Sequence, residues 1–342
     1  MKRTFSILLL TVLVSVLTAC GVRGNTAEEV PVKIGVTMYD EYDPFTASIA
    51  ENITQRLKDL ASEDGRDIEV SVVSSSKNQL LQNEQVEEFI DSGCNVICVN
   101  LVDRTDATVI IDKAKKADIP IIFFNRELVQ DDLNRFDKLY YVGANPEVSG
   151  EIQGQIVIDA LSNRERFNQI DANHDGAIQY VILEGEAGHQ DAIVRSRVSV
   201  ETIKAAGINT DRLGDEIANW DRKQAETKTK ALLARHPWIE LILANDDNMA
   251  LGALDALKNQ TDTMPLIVGV NGQAECLEAI EAGLIEGTAY NNAIAKGQII
   301  ANMSYSLATE GHLPYDLVLT KGKYIYVPYE KITRDNVEEY KK

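Results

Sequence analysis

Short apolar runs alternate with amphipathic stretches along nearly the whole chain, and this alternation restricts the fold more than any other feature. Strand-like runs stand at Ile34–Met38, Ile68–Val73, Val96–Asn100, Ile119–Phe124, Tyr140–Gly143, Tyr180–Leu183, near Ile217, and at Leu241–Ala244, Leu266–Val270 and Glu286–Tyr290. Between them, Phe45–Leu60, Gln79–Ile90, Ala107–Ala117, Pro146–Leu161, Ala192–Ala206, Arg222–Ala234, Met249–Lys258 and Glu275–Ala282 carry apolar residues at helical spacing. Apolar strands followed by amphipathic helices predict an α/β architecture with parallel sheets covered on both faces. A chain of 342 residues fits two doubly wound sheets better than one very wide sheet.

In doubly wound sheets a ligand binds beyond the carboxyl ends of the strands. Those ends carry Asp43 and Phe45, then Asn100 and Asp103, then Asn125 and Arg126. Farther along they carry His189, Asp191 and Arg195, then Trp220 and Asp221, then Asn245, Asp246 and Asp247, then Asn271, and last Asn291 and Asn292. No glycine-rich phosphate loop follows the first strand, and no serine sits in a GxSxG elbow. Carboxylates and amides saturate hydroxyls, which both donate and accept, and aromatic faces stack on the C–H patches of a pyranose. The set therefore predicts a neutral, hydroxyl-rich ligand. Taken singly, an Asp or Asn at a strand end is more often a helix N-cap, as Asp247 or Asn271 could be.

A formal net charge of −19 argues against a nucleic-acid partner, which needs clustered Lys and Arg. Lys2 and Arg3 precede an apolar stretch, Phe5 to Leu17, too short to span a bilayer comfortably. It ends in Leu17-Thr18-Ala19-Cys20, which resembles the bacterial lipobox. The expectation is a signal peptide over 1–19, lipidation at Cys20, and a tether over 20–30 holding a soluble protein to the outer face of a membrane or in the periplasm. Cys94, Cys98 and Cys276 then remain, an odd number in apolar or helical surroundings, which predicts buried free thiols.

One run stands apart. Asp171-Ala-Asn173-His-Asp175-Gly176 places oxygen side chains at the first, third and fifth positions of a calcium loop, with glycine sixth. The twelfth position, where an EF-hand supplies a bidentate Glu, is Ile182, inside an apolar strand-like run. The loop is either a calcium site whose last carboxylate comes from elsewhere, or a surface connection rich in Asx turns.

With these residues in hand, the chain resembles the galactose/glucose-binding proteins of the bacterial periplasmic sugar-binding family, from about Lys33 to the C-terminus. The resemblance rests on Ile34-Gly-Val-Thr-Met-Tyr39, Asn100-Leu-Val-Asp103, Gly185-Glu-Ala-Gly-His189-Gln-Asp191 with Arg195, Trp220-Asp221, and Gly287-Thr-Ala-Tyr-Asn291. It implies two lobes joined by a three-segment hinge, 31–127 with 292–321 and 128–291 with 322–342. The crossings would lie near Asn125–Leu128, Asn291–Ala293 and Lys321–Lys323.

It also implies that Phe45 and Trp220 sandwich a sugar ring and that Asp43 bonds its 4-hydroxyl, consistent with accepting both glucose and galactose. Asn100, His189, Asp191, Arg195 and Asn291 would complete the shell, with Arg195 paired to Asp191. Asp246 and Asn271 depart from the family pattern, which has Asn and Asp in the opposite order. The expected result is a swap of donor and acceptor roles, with consequences for anomer preference and affinity. For the loop, the resemblance implies a structural Ca2+ bound by Asp171, Asn173, Asp175 and Gln179 side chains, the Ala177 carbonyl and the distant Glu240.

The implied activity is delivery of a monosaccharide to an ABC permease by a monomer. A glycosidase using His189, Asp191 and Asp221 has no nucleophile and base at recognisable spacing. A sugar-sensing transcription regulator would need a basic headpiece, which this sequence lacks. A sensor for a chemoreceptor or membrane kinase leaves no motif to read.

Overall fold

The structure, a computed structural model, describes residues 31–258 and 264–341. The expected signal peptide, Cys20 and the whole tether over 20–30 lie outside them. The first half runs β1 (Val32–Met38), α1 (Pro44–Asp64), β2 (Ile68–Ser74), α2 (Gln79–Asp91), β3 (Val96–Val99), α3 (Thr108–Ala117), β4 (Ile121–Phe124), α4 (Gln130–Leu133) and β5 (Leu139–Gly143). There follow α5 (Pro146–Leu161), α6 (Arg164–Ile170), β6 (Ile178–Glu184), α7 (Gln190–Ala205), β7 (Thr210–Ile217), α8 (Arg222–Arg235), β8 (Leu241–Ala244) and α9 (Asp247–Leu257). The chain closes with β9 (Leu266–Asn271), α10 (Ala274–Glu281), β10 (Gly287–Asn291), α11 (Ala293–Thr309), β11 (Tyr324–Tyr326) and β12 (Tyr329–Thr333).

Two six-stranded sheets result, ordered β11-β5-β4-β3-β1-β2 and β12-β10-β9-β8-β6-β7. Every pairing is parallel except β10 with β12. The central strands β3, β4 and β8 are buried along their whole length, because helices cover both faces, and this is why they read as unbroken apolar runs. β7 is an edge strand, Thr-Asp-Arg-Leu-Gly-Asp-Glu-Ile, whose charges discourage pairing with another chain. Those charges also hide it from periodicity, so only its end near Ile217 is evident in the sequence.

The expected lobe boundaries need correction. β5 pairs with β4, Phe124 opposite Val142, so residues up to Gly143 belong to the first lobe, not the second. β11 pairs with β5, Tyr324 opposite Tyr141, which moves 324–326 to the first lobe as well. The chain therefore crosses between sheets at 144–145, at Asn292 and at 327–328. Only the middle crossing lies where the sequence predicts it. Hydrogen-bond partners decide lobe membership, and the local apolar pattern of β5 carries no record of them.

Helix α5 packs on α7 through Gly150 and Gly154. A Cβ on Gly150 would meet the Arg195 carbonyl at 2.9 Å, and one on Gly154 would meet Thr202 Cβ at 2.6 Å. This close crossing sets the position of α7, whose first turns carry Asp191 and Arg195. Cys94, Cys98 and Cys276 are buried and free, and burial pushes the Cys98 thiol up to about 12. No helix among the described residues is long and apolar enough to cross a membrane.

Candidate functional site

The carboxyl ends of both sheets line one cavity between the lobes. From the first lobe come Tyr39, Asp43, Phe45, Asn125 and Arg126. Asp43 caps α1, where Oδ1 accepts from Phe45 N (2.9 Å) and Thr46 N (3.1 Å). Its Oδ2 accepts from the Tyr39 hydroxyl at 2.7 Å. The Arg126 guanidinium lies over the Tyr39 ring, 4.6 Å from its centroid.

The second lobe contributes His189, Asp191, Arg195, Trp220, Asn245, Asp246, Asn271 and Asn291. His189 Nδ1 is buried with no partner, and the ring meets Trp220 edge to face at 5.0 Å. Burial, reinforced by Arg126, Arg195 and Arg104, holds this imidazole well below its ordinary value, so it is neutral. Asp246 caps α9 through Met249 N (2.8 Å), and burial pushes its carboxyl well above the ordinary range. Burial raises Asp43 and Asp191 too, Asp43 against the bond from Tyr39 and Asp191 against the pull of Arg195. Asn271 Oδ1 accepts from Asn291 Nδ2 at 3.3 Å, and Asn291 Oδ1 accepts from Lys296 Nζ at 2.6 Å.

Two expectations fail here. Asn100 is outside the cavity: only 1 % exposed, it donates to the Phe124 carbonyl (3.1 Å) and accepts from Tyr39 N (3.4 Å), tying β1 to β4. Nor does Arg195 hydrogen-bond Asp191. Its guanidinium donates to Ser149 Oγ (2.8 Å), the Asn245 carbonyl (2.7 Å) and the Tyr329 hydroxyl (3.3 Å), and acts on Asp191 only at longer range. Asp191 lines the cavity, and its carboxyl has no hydrogen-bond partner among the described residues. Other strand-end residues follow the cap reading: Asp221 caps α8 and Asn292 caps α11. Asp247 is consumed by Gly272 N, Gln273 N and Thr288 Oγ1.

Asn125, Arg126 and Asn245 stand at strand ends with no individual role evident from sequence, and Tyr39 has none either. Arg126 also carries an ion pair across the cleft. Its Nη2 lies 3.0 Å from Glu186 Oε2, and Lys77 Nζ lies 3.4 Å from Glu186 Oε1, so a second-lobe carboxylate is held by two first-lobe cations.

The loop at Asp171 is gathered around its own carboxylates. Asp171 accepts from Asp175 N (3.2 Å) and Gly176 N (3.0 Å), and Glu240 from Ala172 N (2.6 Å) and Gln179 N (2.9 Å). Asp175 accepts from Ala177 N, Asn173 Nδ2 and Gln179 Nε2. Gln179 Oε1 is a buried acceptor without a partner. The donor set is all oxygen, as a hard cation requires. Among the described residues, however, no three His, Cys, Asp or Glu side chains are grouped so as to hold a metal ion.

The model of a periplasmic binding protein domain matches residues 34–312. The D-galactose/methyl-galactoside binding periplasmic protein of Haemophilus influenzae is 35% identical over 91% of this chain and 92% of its own length. A xylitol-binding protein of Mycolicibacterium smegmatis is 27% identical over 81% of this chain and 72% of its own. Among solved structures, an ABC transporter solute-binding protein from Bacillus halodurans with bound myo-inositol is 25% identical, has a TM-score of 0.75, and covers 91% of this chain and 97% of its own. Two parallel-sheet α/β lobes, a cleft lined from both, and a family match spanning both sheets lead to one conclusion: this chain belongs to the periplasmic binding protein family, with the type I fold.

Proposed function

We propose that the chain binds D-galactose or D-glucose between its lobes, outside the cytoplasm, and as a monomer delivers it to an ABC permease. Members of this family are sugar-binding transport proteins rather than enzymes. The observation that carries the reading is the make-up of the cleft: Phe45 and Trp220, from opposite lobes, line one cavity with Asp43, Asp191 and Asp246 and the unpartnered His189 Nδ1. Stacking faces beside acceptors and a spare imidazole nitrogen suit a neutral polyhydroxyl ring. Relatives named for galactose and xylitol binding, and a similar solute-binding protein with bound myo-inositol, support the same ligand class.

Ligand closure of a hinged cleft is a general behaviour of periplasmic binding proteins. Sugar touching both lobes favours the closed form by its differential affinity for that form. Phe45 and Trp220 orient the ring, the carboxyls and amides read its hydroxyls, and the closed surface then presents the loaded state. A thermal-shift panel of glucose, galactose, xylose, ribose and arabinose tests the reading. A shift with galactose or glucose is expected, and no response to any of the five overturns it. Labelled sugar uptake in a deletion strain separates transport from sensing.

Asp171, Asn173, Asp175, Gln179 and Glu240, with the Ala177 carbonyl, would hold a structural Ca2+. Bound there, the ion would clamp the α6–β6 loop to the start of β8 and take no part in sugar chemistry. Cys20 would carry a lipid anchor, and Cys20→Ser should release the protein from the membrane fraction.

A further inference from the structure

Lys296 is a charged residue with almost no solvent contact, 1 % exposed, in the first turn of α11 just past the Asn292 crossing. Its ammonium donates to Asn291 Oδ1 at 2.6 Å and stands 5.1 Å from the centroid of the Phe45 ring. An ammonium buried in this way, with one hydrogen bond and no ion-pair partner among the described residues, would not be favoured over an apolar side chain by stability alone.

We propose that Lys296 is a positioning residue for ligand recognition: it fixes the orientation of the Asn291 amide, and through it the Asn271 amide, so that Asn271 faces the cleft as a hydrogen-bond donor. The inference rests on the sugar-binding reading above and deepens it.

A lysine ammonium donates and cannot accept, so only the oxygen of the Asn291 amide can face it. The two ends of an amide are otherwise nearly alike in shape, and the neighbour decides between them. With Oδ1 held by Lys296, Asn291 turns Nδ2 toward Asn271 and donates to its Oδ1 at 3.3 Å. Asn271 thereby uses its acceptor end inside the protein. Its Nδ2 has no protein partner among the described residues, and the residue lines the cavity. Its backbone, at φ 119, lies in a region non-glycine residues rarely adopt.

Asp246, on the same cavity, offers carboxyl oxygens, with Oδ1 also engaged by Met249 N. The cleft thus has a donor at Asn271 and a carboxyl at Asp246, and the Lys296 contact fixes that polarity. A hydroxyl can answer either group, whereas a deoxy position answers neither, so this wall selects strongly. The charged groups acting on Lys296 are Asp191 and Arg195 of α7, while α1 and β10 offer the Phe45 ring and Asn291. Burial pulls the ammonium down to about 7, with Asp191 opposing the shift and Arg195 adding to it. The neutral amine formed above that pH still donates to Asn291 Oδ1 but loses the charge that strengthens the bond.

The test compares wild type, Lys296→Met and Lys296→Gln, the last keeping a neutral donor. Calorimetry with D-galactose and D-glucose at pH 6 and pH 8 should show a loss of about tenfold or more in Lys296→Met and recovery to within about threefold in Lys296→Gln. Wild-type affinity should differ between the two pH values, and that of Lys296→Gln should not. In the sugar-free, 15N-labelled protein, the Asn291 and Asn271 side-chain amide resonances should move in Lys296→Met and stay in place in Lys296→Gln.

Unmoved amide resonances in Lys296→Met overturn the relay, whether or not a sugar binds. Wild type that binds neither sugar overturns the reading of the ligand and leaves the amide result to decide the relay. Should Lys296→Met fail to fold, Asn271→Asp removes the donor while leaving Lys296 in place, and unchanged sugar affinity in that variant overturns the proposal.

Discussion

The indole of Trp220 occupies the space that any side chain at Gly185 would need: an added Cβ would clash with its Cη2 and Cζ2. The glycine after β6 is thus a moulded seat for one wall of the cleft, and Trp220 sits on it with a backbone φ of 63. Gly185→Ala should destabilise the protein by about 1–3 kcal/mol through overpacking. It should also displace the indole and weaken sugar binding more than that loss of stability explains. Indole fluorescence with calorimetry checks this, and an unchanged affinity would separate Trp220 from the site.

Glu186 joins the lobes through Arg126 and Lys77, at positions partly open to solvent. Glu186→Gln should weaken the closed form by about 1 kcal/mol, roughly a fivefold loss of affinity. Wild-type affinity should fall as salt rises, and that of the variant should be nearly flat. Small-angle scattering of the sugar-free variant should show a larger open fraction. Equal salt dependence in the two proteins would assign the pair no part in closure.

Burial raises the Asp246 carboxyl, so the folded protein holds that proton more tightly than the unfolded chain. Its favourable contribution is complete below the ordinary carboxylate range and is lost as pH rises through the folded value. Asp246→Asn keeps the cap on Met249 N and never ionises. The variant should therefore be more stable than wild type near neutral pH, by about 0.5–2 kcal/mol, and the gain should vanish at acidic pH. It should bind sugar less well. Melting curves across pH check the sign, and a gain over wild type no larger at neutral than at acidic pH contradicts it.

If the Asp171 loop takes calcium, the ion should raise the melting temperature of wild type. At a hundredfold excess over its dissociation constant the stabilisation is about 2.7 kcal/mol. Glu240→Gln should lose that increment even if its own baseline is lower, since Glu240 also holds Ala172 N and Gln179 N. Identical melting of wild type with calcium and with chelator would reduce the loop to a set of Asx turns.

The sequence carried the strand–helix alternation because buried strands such as β3 and β4 have no polar face to confuse the period. It did not carry the partner of β5, which is a long-range choice. The cleft was legible at Asp43, Phe45, His189 and Trp220, where strand-end position and the chemistry of a hydroxyl-rich ligand agree. Asn100 satisfied the same criteria and failed, because whether a strand-end amide faces the cleft or bridges two strands depends on the neighbouring backbone. Lys296 left no signal, since a lysine in a helix usually lies in solvent and only the packed Phe45 and Asn291 show that this one does not.

β11 pairs with β5 and β12 with β10, so each sheet gains an edge strand only from residues 324–333. α11, which covers the first sheet, comes almost as late. A ribosome must therefore deliver nearly the entire chain before either sheet is complete. The nascent polypeptide stays short of its native form throughout synthesis, which is the state in which a chain can be threaded through a membrane pore. Any truncation before Tyr324 leaves both sheets an edge strand short.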